Sequence, residues 1–520
     1  MGRIEMYPEC IKSIFDIYFP VFIQYSEDNP MIFTHVSFWV FFMAALLVYS
    51  FLYRKNVWRN VFLFVISIFF YYKCGGYYFV LLLWSVLLNY LIGLGIARTS
   101  IRRRKKWTLI FGVSFNLLLL AYFKYAYLLT EWMNQLLGTS FEVKNLLAAW
   151  SNDVADTHFD ISAIILPVGI SFFTFQAISY IVDVYRRKAP VVRNIFDFGF
   201  YLAFFPSLVA GPIIRAAEFV PQMYRKYRLR KEEMGHALFL ISCGLFKKMA
   251  ISDYISINFV DRVFDQPLLY SGFENLIAVY GYALQIYCDF SGYTDIAIGL
   301  ALLLGFRLPA NFNSPYQAHN ITDFWRRWHI SLSSWLRDYL YIPLGGNRKG
   351  SIRTNVNLMM TMLLGGLWHG ASLRFILWGA LHGVALMLHK VWLYFFPSNM
   401  MYKKTLPSFL GTFLTFHFVA LCWIFFRSAD MTTALTIIER IFTATSFSLI
   451  GNMLTGYHLV FGVMLVGFLM HWCPAQWKEY IHGWYVMLHP VWKVALAFIL
   501  FLVIYQMRSA VIQPFIYFQF

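Results

Sequence analysis

Two histidines raise the question of chemistry. His369 stands in LLGGLWHGAS, residues 363–372, at the end of an apolar stretch and between Trp368 and Gly370. An ionisable group is costly at membrane depth, which makes it a functional candidate by default. A neutral imidazole accepts protons near physiological pH and suits deprotonation of a hydroxyl during acyl transfer. The glycines beside it permit close approach of a ligand. A buried neutral histidine satisfied by a carbonyl would leave the same pattern. His329 lies 369 − 329 = 40 residues earlier, within FWRRWHISLSSWLRDYLYIPLGGNRKG, residues 324–350. This stretch is too polar to span a bilayer. A helix beginning near Thr322 or Asp323 would put Arg326, His329, Ser333 and Arg337 on one face. Phe324, Trp328, Leu332, Trp335 and Tyr339 would share another, and Pro343 and Gly345-Gly346 would stop the helix. One reading is an interfacial helix with arginines at the headgroups. The other is a basic, aromatic-walled surface for an anionic cofactor carrying phosphates and a stackable ring, with Arg326, Arg327, Arg337 and Arg348 as phosphate contacts. In DFSGYTDIAIGLALLLGFRLPANFNSPY, residues 289–316, Asp289 and Asp295 sit in an apolar setting. They are expected either to pair with an arginine of the 324–350 helix or to cap a helix restarted at Ser291-Gly292.

Several chemistries lack their residues. There is no G-x-S-x-G elbow and no Walker A loop, which argues against an ordinary serine hydrolase and an ATP-driven pump. The two histidines form no H-E-x-x-H, and none of Cys10, Cys74, Cys243, Cys288, Cys422 and Cys473 forms a C-x-x-C pair, so neither a metal site nor a disulfide framework is expected. The sequon Asn320-Ile321-Thr322 falls in a segment expected to be cytoplasmic and reads as chance.

The elements that must hold these residues are membrane helices. Of 520 residues, 59% are hydrophobic and 13% charged, about half the charge of a soluble domain, roughly 25%. Apolar stretches near twenty residues recur at 34–53, 57–72, 77–97, 107–127, 162–184, 236–256, 273–290, 292–306, 355–371, 375–395, 408–427, 455–473 and 491–512. Segment 194–214, interrupted by Pro206 and Gly211-Pro212, reads as re-entrant. The formal charge of +17 lies in short loops, the positive-inside pattern, and no exposed basic domain offers a nucleic-acid surface. Arg54-Lys55, Arg102 to Lys106, Arg186 to Lys188, Arg225 to Lys231 and 309–354 are therefore expected to face the cytoplasm. The N-terminus and the acidic segment 128–160 are expected to face outward. No cleavable signal peptide is apparent. Residues 1–30 are expected to be an N-terminal interfacial extension, or Met31 the true start, with 31–520 a single membrane domain. No internal repeat of the kind common in transporters is visible.

These motifs resemble the membrane-bound O-acyltransferase (MBOAT) family, in its bacterial alginate O-acetyltransferase-like branch. The resemblance is carried by 324–350, LLGGLWHGAS, DFSGYTDIAIGL and NFNSPY. FGVSFNLLLLAYFKYA (111–126), LPVGISFFTFQAISYIVDVYRR (166–187), SLVAGPIIR (207–215) and GLFKKMAISD (244–253) add to it. It extends from about Met31 to about residue 440. It implies an all-α polytopic membrane protein with about eleven transmembrane helices, plus re-entrant and interfacial helices around a cytoplasmic funnel. It also implies His369 as the catalytic residue and His329 as the second polar residue of the site. Trp328 joins the arginines as a donor contact, and Asp289, Asn313, Trp325, Asp338 and Trp368 support the site. The expected activity is O-acetyl transfer from cytoplasmic acetyl-CoA, with no permanently bound cofactor, across a bacterial inner membrane. The acetyl group would pass through a periplasmic partner to an exported polysaccharide. D-alanyl transfer from a carrier-protein thioester, as in a sister branch, and non-enzymatic polymer or lipid transport are the other classes. Two departures stand out. Cys288 occupies a position where the branch usually has Phe, and residues 1–30 have no counterpart.

Overall fold

A chain segment inside hydrocarbon must satisfy its own backbone hydrogen bonds, and helices do this within one segment. The computed structural model describes residues 24–26, 30–155, 157, 159–209, 211–396, 408–507 and 515, and every regular element among them is helical. The expected extension 1–30 falls almost wholly outside the described residues.

Seven helices among the described residues are long and apolar enough to cross a membrane, or eight if the pair Ile450–Gly456 and His458–Trp472, bent by 82°, is one span. The chain is thus a multi-pass membrane protein. Val36–Leu52 and Ile170–Tyr185 are apolar but shorter. Some boundaries differ from the sequence expectation for local reasons. Segments 273–290 and 292–306 form one helix, Gly272–Leu303, which passes through Ser291-Gly292 without a break and is capped at Ser271, whose side chain accepts from the Glu274 amide. Helix Lys231–Leu245 continues to Asp265 through π-helical turns at Phe246–Ser252 and Ser256–Val260. The 194–214 segment begins as two short helices, Ile195–Ala203 and Phe205–Leu208, separated at Phe204 and almost wholly buried.

The chain divides into two compact units. The first holds residues up to 117, 166–209 and 215–228. Its interior contains polar groups that satisfy one another. Asn89 and Asn116 exchange side-chain hydrogen bonds at 3.2 and 2.8 Å. The buried Arg59 donates to the Arg225 carbonyl and to Asn60, which in turn donates to Asp197 at 2.9 Å. The second unit holds 118–165, 210–214 and everything from 229 onward, and it contains both histidines. Its most enclosed span is Gly272–Leu303.

Asp289 and Asp295 on this helix do not pair with arginines of the 324–350 segment. Lys248 Nζ lies 2.5 Å from Asp289 and 2.8 Å from Asp253, and Lys247 Nζ lies 2.5 Å from Asp295. The physical reason is packing. Gly244 and Gly292 bring helices Lys231–Leu245 and Gly272–Leu303 so close that a Cβ on Gly244 would stand 2.5 Å from the Gly292 carbonyl oxygen. The lysines one turn further along are then the nearest cations.

Candidate active site

His369 is the last residue of helix Gly350–His369. The chain leaves this helix in an extended conformation at Gly370, where a Cβ would meet the Phe375 ring at 2.1 Å. The following helix, Leu373–Phe395, packs back against the first. Added Cβ atoms on Gly366 and Gly379 would stand 2.1 Å from the Phe375 carbonyl oxygen and 2.4 Å from that of Met362. Gly366 of LLGGLWHG therefore serves close helix packing, and Gly370 makes room for the Phe375 ring. The His369 residue is 3% exposed. Its ring centroid lies 5.0 Å from Trp368, 5.1 Å from Trp378 and 5.1 Å from Phe426, all edge to face. The last turn of the helix is held from Arg102–Leu137. Lys124 Nζ donates to the Trp368 and His369 carbonyls at 2.6 and 2.8 Å, and the Tyr125 hydroxyl donates to the Leu367 carbonyl at 2.8 Å.

His329 does not lie on a continuous helical face with Arg326, Ser333 and Arg337. Helix Ile321–Arg327, capped by the Asn320 side chain rather than by Thr322 or Asp323, ends at Trp328. His329 takes the left-handed conformation, φ 42°, before Ile330–Leu336 begins. Asn311 holds this break open. Its carbonyl accepts from the Ile330 amide at 2.9 Å, and its Oδ1 accepts from the Ser331 amide and hydroxyl at 3.2 and 2.9 Å. The same Oδ1 lies 3.1 Å from His329 Nδ1. An oxygen there can only accept, so Nδ1 carries the ring proton and Nε2 keeps its lone pair. His329 is fully buried, and burial pushes its imidazole down to about 3, so it is neutral at physiological pH.

Both histidines meet at Trp368, whose ring centroid is 5.0 Å from His369 and 6.1 Å from His329. Phe290 of the Asp289 motif packs edge-on against His329 at 4.6 Å. Next to His369, Trp378 touches His382 at 4.8 Å, and His382 touches Trp325 at 5.2 Å. Trp325 Nε1, Trp378 Nε1 and both His382 nitrogens are buried without a hydrogen-bond partner among the described residues. Buried polar groups are normally paired, so these are the groups available to a substrate atom or a water.

The other expected site residues are spread more widely. Trp328 is enclosed by Phe312, Phe324 and Trp423 and is 1% exposed, so it forms an interior wall. Arg326 and Arg348 are exposed. Arg337 pairs with Asp338 at 2.7 Å. Arg327 pairs with Asp323 at 3.0 Å and donates to the Asn313 carbonyl at 3.4 Å. An open groove of about 300 Å³ brings Arg327 together with Gln317, His319, Thr412, Trp472 and Pro474. Among the described residues, no group of three or more His, Cys, Asp or Glu side chains could hold a metal ion.

Sequence reasoning missed Asn311, Lys124, Trp378 and His382. Asn311 and Lys124 stand inside NFNSPY and FGVSFNLLLLAYFKYA but carry no chemistry that their neighbours announce. Trp378 and His382 are four residues apart on an apolar helix, where such residues usually read as core.

Comparison with known proteins decides the family. The chain is 38% identical over 422 residues to a Pseudomonas aeruginosa protein named "Probable alginate O-acetylase", with 81% of this chain and 76% of that one covered. The chain belongs to the membrane-bound O-acyltransferase family. The family model itself matches residues 186–429, which include both histidines. A peptidoglycan O-acetyltransferase of Helicobacter pylori is 36% identical over 414 residues, 74% of each chain. A teichoic acid D-alanyltransferase of Bacillus subtilis is 32% identical over 276 residues, 48% of this chain and 66% of that one. This MBOAT protein is an acyltransferase.

Proposed function

We propose that this enzyme transfers an acetyl group from cytoplasmic acetyl-CoA to hydroxyls of an exported polysaccharide, and that a partner protein on the outer face receives the group on the way. The observation that carries this reading is the convergence of His369 and His329 on Trp368 inside a membrane-embedded unit. The hydroxyl oxygen attacks the thioester carbonyl carbon while His369 accepts the hydroxyl proton. The C–S bond then breaks, and the thiolate leaves with that proton as coenzyme A thiol. The Trp325 and Trp378 N–H groups, without a partner among the described residues, are the donors at hand for the carbonyl oxygen as it gains charge. His329, neutral and with Nε2 free of the ring proton, polarises or orients the acceptor.

For the donor, the groove at Arg327 offers a guanidinium for phosphate and the Trp472 ring for stacking. Three of its lining residues, Gln317, His319 and Arg327, belong to the segment 309–354, whose positive charge favours the cytoplasmic side of a bacterial inner membrane. Two relatives carry names that specify O-acetylation of alginate and of peptidoglycan, and they cover more of this chain than the one named for D-alanyl transfer.

The test uses purified protein in nanodiscs with acetyl-labelled acetyl-CoA and polysaccharide, with and without periplasmic extract. Labelled polymer should appear only with the extract. His369→Ala should lose transfer by 10²–10⁴-fold, the span roughly attributed to a general base, while inserting and melting like the parent. A His369→Ala enzyme with parental activity overturns the reading. Full polymer labelling without extract removes the partner. Absence of acetyl-CoA binding, with transfer from a D-alanyl carrier protein, moves the enzyme to the sister chemistry.

A further inference from the structure

The motif around Lys124 has no part in the transfer step described above, yet it touches the helix that ends in His369. We infer that Lys124 is the positioning residue of the reacting imidazole: it fixes the C-terminal turn of helix Gly350–His369 through the Trp368 and His369 carbonyls and so sets the direction from which His369 meets its substrate.

Three observations bear on this. A helix leaves its last four carbonyls without intrahelical partners. Here three successive ones, on Leu367, Trp368 and His369, all accept from two neighbouring side chains, Tyr125 and Lys124, at 2.6 to 2.8 Å. The described ion pairs do not include Lys124, so its amino group is directed at carbonyl oxygens and lies 5.9 Å from the centroid of the Trp368 ring. Lastly, the chain beyond cannot brace His369 in the same way, because it turns away in an extended form at Gly370. The carbonyls of Trp368 and His369 are joined rigidly to the His369 Cα. Releasing them lets the ring tilt, and a misplacement of about 1 Å at a reacting group costs on the order of 10²-fold in rate.

This inference rests on the reading of His369 as the base, and the experiment separates the two. Purified full-length parent, Lys124→Met, Lys124→Arg, Tyr125→Phe and His369→Ala are compared in nanodiscs for melting temperature, kcat and KM for acetyl-CoA. Lys124→Met should lower kcat per folded molecule about 10²-fold with KM little changed. Lys124→Arg should recover part of the loss, and Tyr125→Phe should show a smaller fall. A merely structural lysine would lower the folded fraction and leave kcat per folded molecule at the parental value, which overturns the proposal. If Lys124→Met is not recovered folded, Lys124→Gln and Tyr125→Phe are read in its place, and parental kcat in both overturns it. An inactive His369→Ala beside a fully active Lys124→Met sinks only the positioning role. An active His369→Ala sinks both.

Discussion

His369 and His329 are presented by opposite means. One closes a helix whose carbonyls are tied down from outside, and the other stands alone in a left-handed break. The break depends on Asn311, which takes up the amides and the hydroxyl that would otherwise start the next helix without partners. Asn311→Ala should therefore remove the acceptor that the His329 ring and the Ser331 amide and hydroxyl share. The expected loss is about 2 kcal/mol, within the usual cost of a buried unsatisfied group, read as a lower unfolding midpoint in detergent. Transfer activity should fall further than this loss of stability explains, because the His329 ring loses the partner that selects its tautomer. The sequence made His369 legible as a polar group in an apolar neighbourhood, and His329 through its place in an arginine- and aromatic-rich motif. It could not reveal Asn311, whose importance lies in which ring, hydroxyl and amide groups it reaches eighteen to twenty residues away.

Helices explain which charges matter for stability. Lys248 and Asp289 are both nearly inaccessible and lie 2.5 Å apart on two tightly packed helices. Breaking a buried pair leaves an uncompensated charge, so Asp289→Asn should cost about 3 kcal/mol, the low end of the usual range because Lys248 keeps Asp253 at 2.8 Å. Arg337→Gln provides the contrast. Its guanidinium is mostly exposed, and loss of the pair with Asp338 should change stability by no more than about 1 kcal/mol. Chemical unfolding of both variants beside the parent checks the difference. Periodicity alone placed Arg326, His329, Ser333 and Arg337 on one face, and this failed because the rule assumes an unbroken helix. It also split Gly272–Leu303 at Ser291-Gly292. There the small residues accommodate the neighbouring helix instead of ending their own.

At the scale of the molecule, the distribution of charge among loops makes a claim about sidedness that the helices themselves do not. If positive loops are retained inside, alkaline phosphatase fused after residue 140 should be active and the same enzyme fused after residue 105 inactive. The reverse pattern would put the Arg327 groove on the wrong side for a cytoplasmic donor. Hydrophobic run length and composition determined that the chain is a helical membrane protein, because the demand for about twenty apolar residues is local and needs no knowledge of neighbours. Motif order likewise pointed to the acyltransferase family before any helix was placed. Tertiary structure alone decided that Lys247 and Lys248 neutralise the two aspartates, that Trp328 is an interior wall, and that Lys124 and Tyr125 hold the end of the His369 helix. Each of these depends on which distant helices touch and at what distance, which Gly244 and Gly292 set for the lysine–aspartate pairs. A buried charge or carbonyl takes its partner from across a packing interface, and residue order along the chain does not encode that neighbour directly.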